Sequence, residues 1–155
     1  MTQMEPRFST DLWPSIIPFE SERIHAVAVY CSDGRFGEQC DDFLQRGLAL
    51  PNYDRLAVPG GAAGLAADRE GSGLFSGLMF LVKAHELTRL VMIAHQDCAH
   101  YTQLLDLGAI DARARQEADV ASVAQRVREQ APQVQVDAFL AHVEGERVSF
   151  EQLRL

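Results

Sequence analysis

No apolar run in the 155-residue sequence approaches the roughly 18–20 residues that a bilayer-crossing helix needs, so a transmembrane segment is not expected. Basic residues are in short supply. Fourteen Lys and Arg against 22 Asp and Glu leave a net charge of −8, which makes a polyanion such as nucleic acid an unfavourable partner. The opening MTQMEPRFSTDLWP carries neither the basic nor the apolar stretch of a secretory signal, and three cysteines are too few for a disulfide framework. Both features lead us to expect free thiols and a cytoplasmic location. Two enzyme signatures are also missing. The glycines between 60 and 77 fit neither G-x-G-x-x-G nor a phosphate-binding loop, and no G-x-S-x-G elbow exists. Apolar residues, by contrast, make up 47% of the chain, enough to bury a core, which argues against a disordered adaptor.

Residues 1–23 place Pro6, Pro14 and Pro18 among Phe8, Trp13, Ile16, Ile17 and Phe19. Proline at that density prevents one continuous helix, yet the segment is too apolar for a solvated tail. We expect an arm lying on a surface, the chain's own or a partner subunit's. Residues 24–155 then read as a single α/β domain. IHAVAVYC (24–31), Arg55 to Val58 and LVMIAH (90–95) are short apolar runs expected as buried parallel strands. Helices are expected over 36–49, from Leu74 to His85, over 98–107 and over 111–131, where Val120, Val123, Ala124 and Val127 mark one face and Pro132 ends the run. The stretch from Pro59 to Gly73 reads as a loop. VQVDAFLAHV (134–143), a Gly145 turn and RVSF (147–150) read as a closing hairpin. The expected architecture is a mostly parallel central sheet flanked by helices, with a C-terminal strand hairpin.

Active groups of open α/β sheets gather beyond the carboxyl ends of the strands. The first strand ends in Cys31-Ser32-Asp33-Gly34-Arg35, and the third in His95-Gln96-Asp97-Cys98. Two thiolates and one imidazole suit Zn²⁺, and three ligands leave one tetrahedral position open, as in catalytic rather than structural sites. Spacing alone equally fits two buried cysteines and a histidine satisfied at a sheet edge. Asp97 is expected to cap the helix that it opens. Cys40 falls with Phe36, Phe43 and Leu44 on an apolar face and reads as core. His25, His85 and His142 sit within strand or helix runs, are expected to have no acidic or thiol company there, and read as structural.

Cys31-x-Asp33-x-Arg35 and His95-x-x-Cys98 resemble, in order and in position, the C-x-D-x-R and H-x-x-C motifs of β-class carbonic anhydrases. The resemblance extends over about residues 24–150. It implies zinc on Cys31, His95 and Cys98, with Asp33 and Arg35 as the catalytic dyad beside it, in a homodimer or higher homo-oligomer. It further implies a zinc-dependent lyase that hydrates CO₂ reversibly to bicarbonate, zinc lowering the pKa of a bound water so that hydroxide is available near neutral pH. In some members of that family the Asp–Arg pair breaks and the carboxylate takes the open zinc position, which would show as activity at alkaline pH alone.

The chain departs from the family pattern around Pro59-Gly60-Gly61-Ala62-Ala63, where R-N-A-G-N is common. Ala94 and Ala99 stand where glycines are usual, Gly34 replaces a serine, and His100 follows. Pro59, Gly60 and Gly61 are the expected cleft wall, and His100 is a candidate proton shuttle. With the metal motifs complete and the wall altered, two further functions stay open. One is a zinc hydrolase of a CO₂-like molecule such as COS or CS₂. The other is a zinc-binding protein without turnover.

Overall fold

The computed structural model describes residues 12–155. Its elements are β1 (Ala26–Cys31), α1 (Gly37–Asp42, continued by a π-helical turn Phe43–Gly47), β2 (Asp54–Val58), α2 (Ala62–Ala67) and α3 (Leu74–Ala84). They are followed by β3 (Arg89–His95), a second π-helical turn (His100–Leu104), α4 (Ala109–Gln130), β4 (Gln135–Glu144) and β5 (Arg147–Leu153). The sheet runs β2-β1-β3-β4-β5. Its first four strands are parallel, and β5 returns antiparallel to β4 as the expected hairpin.

Alternation along the buried strands divides the core between the two faces of the sheet. Val27 and Val29 of β1, with Leu90 and Met92 of β3, face α2, α3 and α4 and pack with Leu65, Phe75, Leu78 and Val123. Ala26, Ala28 and Tyr30, with Val91 and Ile93, face α1 and pack with Phe36, Cys40 and Leu44. A fully buried Leu or Val of this kind contributes about 1.5–3 kcal/mol relative to an exposed one. Cys40 is thus a core residue, and burial pushes its thiol up to about 12.

The chain leaves β1 toward β2 on one side and leaves β3 toward β4 on the other. The crevice where successive connections diverge is the natural ligand site of such a sheet, and here it opens at the carboxyl ends of β1 and β3. Cys31 and His95 are the last residues of those two strands.

Three expectations need correction. The stretch after Pro59 is not loop throughout, because Ala62–Ala67 forms α2. Four alanines favour helix, and Arg126 of α4 donates to the Leu65 and Asp68 carbonyls at 2.9 and 2.8 Å, which closes the helix end. Asp97 caps nothing. It sits at φ +55°, and the turn after Cys98 begins at Ala99 without a side-chain cap. His85 and His142 do have acidic company, contributed by other strands: His85 pairs with Asp54 of β2 at 2.6 Å and His142 with Glu151 of the adjacent β5 at 2.5 Å.

Pro6 and Phe8 of the expected arm lie outside the described residues. Residues 12–23 have no regular structure, and Ile16, Ile17 and Phe19 are 100%, 77% and 92% exposed. Arg23 ties the base of the segment down by donating to the carbonyls of His85 and Glu86 at 3.2 and 2.7 Å.

Candidate metal centre

Cys31, His95 and Cys98 converge at the crevice, with their ligand atoms all within 4.8 Å of one another. The two sulfurs are 3.9 Å apart. Two thiolates bound tetrahedrally at ~2.3 Å from one zinc would be about 3.8 Å apart, so the pair already has the spacing that the ion requires. His95 is buried at the end of β3, and its Nδ1 lies 2.7 Å from the Gln96 carbonyl. A carbonyl can only accept, so Nδ1 carries a proton and Nε2, which faces the sulfurs, is the nitrogen left to bind. That Nε2 is the one buried side-chain nitrogen or oxygen without a hydrogen-bond partner among the described residues. Such an orphan is expensive unless something binds it. Donor set, spacing and orphaned nitrogen all fit zinc.

The thiols share their protons unequally. Cys31 is held down to about 3, first by the hydrogen bond from Cys98 and then by His95 and by the amides of Asp33 and Gly60, with burial opposing. Cys98 is pushed up by the same bond to Cys31 and by burial. For His95 burial opposes the charge most strongly, yet contact with Cys31, the Gln96 carbonyl and Asp33 leaves the net shift upward.

Beside the cluster, Asp33 is locked by Arg35. The Arg35 amide and Nε both donate to Oδ1 at 3.0 Å, Nε also reaches Oδ2 at 3.1 Å, and Nη2 donates to Oδ2 at 2.6 Å. The guanidinium holds the Asp33 carboxyl down to about 2. Its Oδ2 lies 4.0 Å from His95 Nε2. Behind His95, the Phe36 ring stacks at a centroid distance of 4.3 Å and a 30° tilt.

A cleft of about 630 Å³ opens over Cys31 and Asp33, walled by Pro59, Gly60, His100 and Leu104. Gly60 has φ +78°, and a Cβ there would stand 2.7 Å from Cγ of His100. The imidazole therefore packs directly on the glycine and fills the space that a side chain at 60 would take. Gly61, at φ +58°, is buried beneath the cleft against the Cys31 amide.

The sequence reading missed Phe36 as a neighbour of His95. It also missed two polar residues of α4, Gln116 and Asp119, which reach the His95 carbonyl and Tyr101. Their signal was available, because both lie one turn before members of the apolar stripe, Val120 and Val123, where a surface residue would be out of place.

No curated protein matches the chain by sequence. Among solved structures it is similar to the β-carbonic anhydrase CafD of Aspergillus fumigatus, at 15% identity and TM-score 0.56 over 89% of this chain and 94% of that one. It is also similar to the β-carbonic anhydrase TvaCA1 of Trichomonas vaginalis, at 13% identity and TM-score 0.56 over 88% and 87%. At such identities these likenesses establish the fold, that of β-carbonic anhydrases. A family model described as "Putative carbonic anhydrase" matches residues 21–150, which include every residue of the cluster and its dyad. On that match the chain belongs to this carbonic anhydrase family.

Proposed function

We propose that the protein is a zinc-dependent lyase that hydrates CO₂ reversibly to bicarbonate. The observation that carries this reading is the orphaned Nε2 of buried His95, facing two sulfurs at zinc-compatible spacing beside a locked Asp–Arg pair. Cys31, His95 and Cys98 hold the metal, and its chemistry there is to acidify water toward neutral pH and polarise an oxygen. The remaining steps fall to the chain itself. Asp33 is kept ionised by Arg35, so near neutral pH it can only accept, and it takes the hydrogen bond of the attacking water and turns the water's lone pair to the CO₂ carbon. Arg35 keeps that carboxylate fixed in the cleft lining, with Oδ2 4.0 Å from His95 Nε2. His100 in the cleft wall is our candidate for carrying the released proton to solvent. His100→Ala should then slow turnover in weak buffer and recover in strong buffer, while equal turnover in both removes the role.

The homo-oligomer is part of the same proposal, supported by the exposed Ile16, Ile17 and Phe19. No helix among the described residues is long and apolar enough to cross a membrane. The cytoplasmic location rests on the sequence features given above.

The deciding experiment is stopped-flow CO₂ hydration at pH 7 and pH 9 on protein of measured zinc content. Turnover at pH 7 is expected. Zinc-loaded protein silent at both pH values overturns the lyase reading. Sulfide release from COS or CS₂ by that same silent protein assigns the altered Pro59–Gly61 wall to a hydrolase.

A further inference from the structure

The stripe of α4 that packs on the sheet carries two polar residues, Gln116 and Asp119, only 5% and 8% exposed. A buried polar side chain costs free energy unless it is matched, so its partners show what it is for. Nε2 of Gln116 donates to the main-chain carbonyl of His95 at 2.9 Å. This carbonyl ends β3, two residues beyond Ile93, where the pairing of β3 with β1 stops. Pairing with β4 ends at His95 itself, opposite Ala141, and beyond it the Val143 amide goes to the side-chain oxygen of Gln96. The helix thus supplies the donor at the strand end, and His95 is gripped at its ring Nδ1, its ring face and its carbonyl.

Asp119, one turn on, accepts the Tyr101 hydroxyl at 2.7 Å and Nε of Arg115 at 3.2 Å. Tyr101 is buried against Cys98, Ala63 and Ala112. Its amide donates to the Cys98 carbonyl at 3.0 Å, and the amides of His100 and Tyr101 face the Cys98 sulfur. A tyrosine anchored at its far end therefore fixes the turn that aims the thiol.

We propose that Gln116 and Asp119 are positioning residues of the metal centre, with α4 setting His95 through its carbonyl and Cys98 through Tyr101. The inference rests on the reading of Cys31, His95 and Cys98 as a metal centre. Groups that orient ligands from behind typically change metal affinity by roughly 10–100-fold when removed.

The test uses the full chain with Co²⁺ as probe, reading affinity by chelator competition and ligand geometry by the sulfur-to-cobalt and d–d absorption bands. Gln116→Met, which keeps the side-chain length without the donor, and Tyr101→Phe, which removes only the hydroxyl, should each bind Co²⁺ roughly 10–100-fold more weakly with displaced bands. Val123→Ala, on the same stripe but touching no ligand, should lower stability and leave affinity and spectrum unchanged. Wild-type affinity and spectra in both polar variants overturn the inference, as does an equal loss in Val123→Ala. Wild-type protein that takes up no Co²⁺ overturns the metal reading and this inference with it.

Discussion

Arg35 holds both carboxylate oxygens of Asp33, with its Nη2 2.6 Å from Oδ2, and so fixes the acid 4.0 Å from His95 Nε2. The folded-state pKa of Asp33 is depressed to about 2, below its ordinary value. The stabilisation that goes with a depressed acid is complete above the unfolded pKa and is lost as pH falls through the folded one. The pair therefore does not titrate between pH 6 and 9, and wild-type turnover at pH 7 is expected rather than an alkaline-only enzyme. Arg35→Ala should cut CO₂ hydration at pH 7 by roughly 10–100-fold with zinc retained. Wild-type turnover in that variant would sink the role of the dyad.

Gly60 and His100 meet across the cleft. Gly60→Ala places a Cβ at φ +78° and 2.7 Å from the imidazole. The left-handed conformation alone costs roughly 1–2 kcal/mol. The clash adds to it, and only the clash is relieved by trimming His100. Urea unfolding of Gly60→Ala, His100→Ala and the double variant should give a coupling of about 1 kcal/mol, with the double variant more stable than the two single losses sum to. Additive losses would mean that the ring does not rest on the glycine.

Removal of a metal ligand should show in folding as well as in chemistry. Binding to the native state alone stabilises it by about 4 kcal/mol when free metal exceeds Kd a thousandfold. Cys98→Ser should lose zinc by elemental analysis and unfold at lower urea than the wild type, matching chelator-treated wild-type protein. A variant that keeps its full zinc would remove Cys98 from the ligand set.

How much of this was legible follows from what each element depends on. β1 and β3 are specified locally by short apolar runs that carry Val27, Val29, Val91 and Ile93, so Cys31 and His95 could be placed at one sheet edge from the sequence. Helix α2 was hidden because Gly60, Gly61 and Gly64 outweigh the alanines on propensity, and its end is closed by Arg126, about 60 residues away. The packing of His100 on Gly60 joins a helical turn and a loop that no periodicity connects. Gln116 and Asp119 went unnoticed for a different reason. Polar residues on a helix read as solvent-facing, and the partners that hold these two inside, the His95 carbonyl and the Tyr101 hydroxyl, belong to elements 18 or more residues away.

The arm gives the last prediction. A single exposed isoleucine needs no explanation. Ile16, Ile17 and Phe19, however, stand within four positions at 77% exposure or more, on a segment whose base Arg23 pins to the turn after α3. The described residues leave these three side chains uncovered, so of the two surfaces that the sequence allowed, a second copy is the better fit. Light scattering should then give a mass that is a multiple of 17.2 kDa for the whole chain and a smaller assembly once residues 1–22 are deleted. An unchanged assembly after deletion would assign the contact to another face and leave the arm without this role.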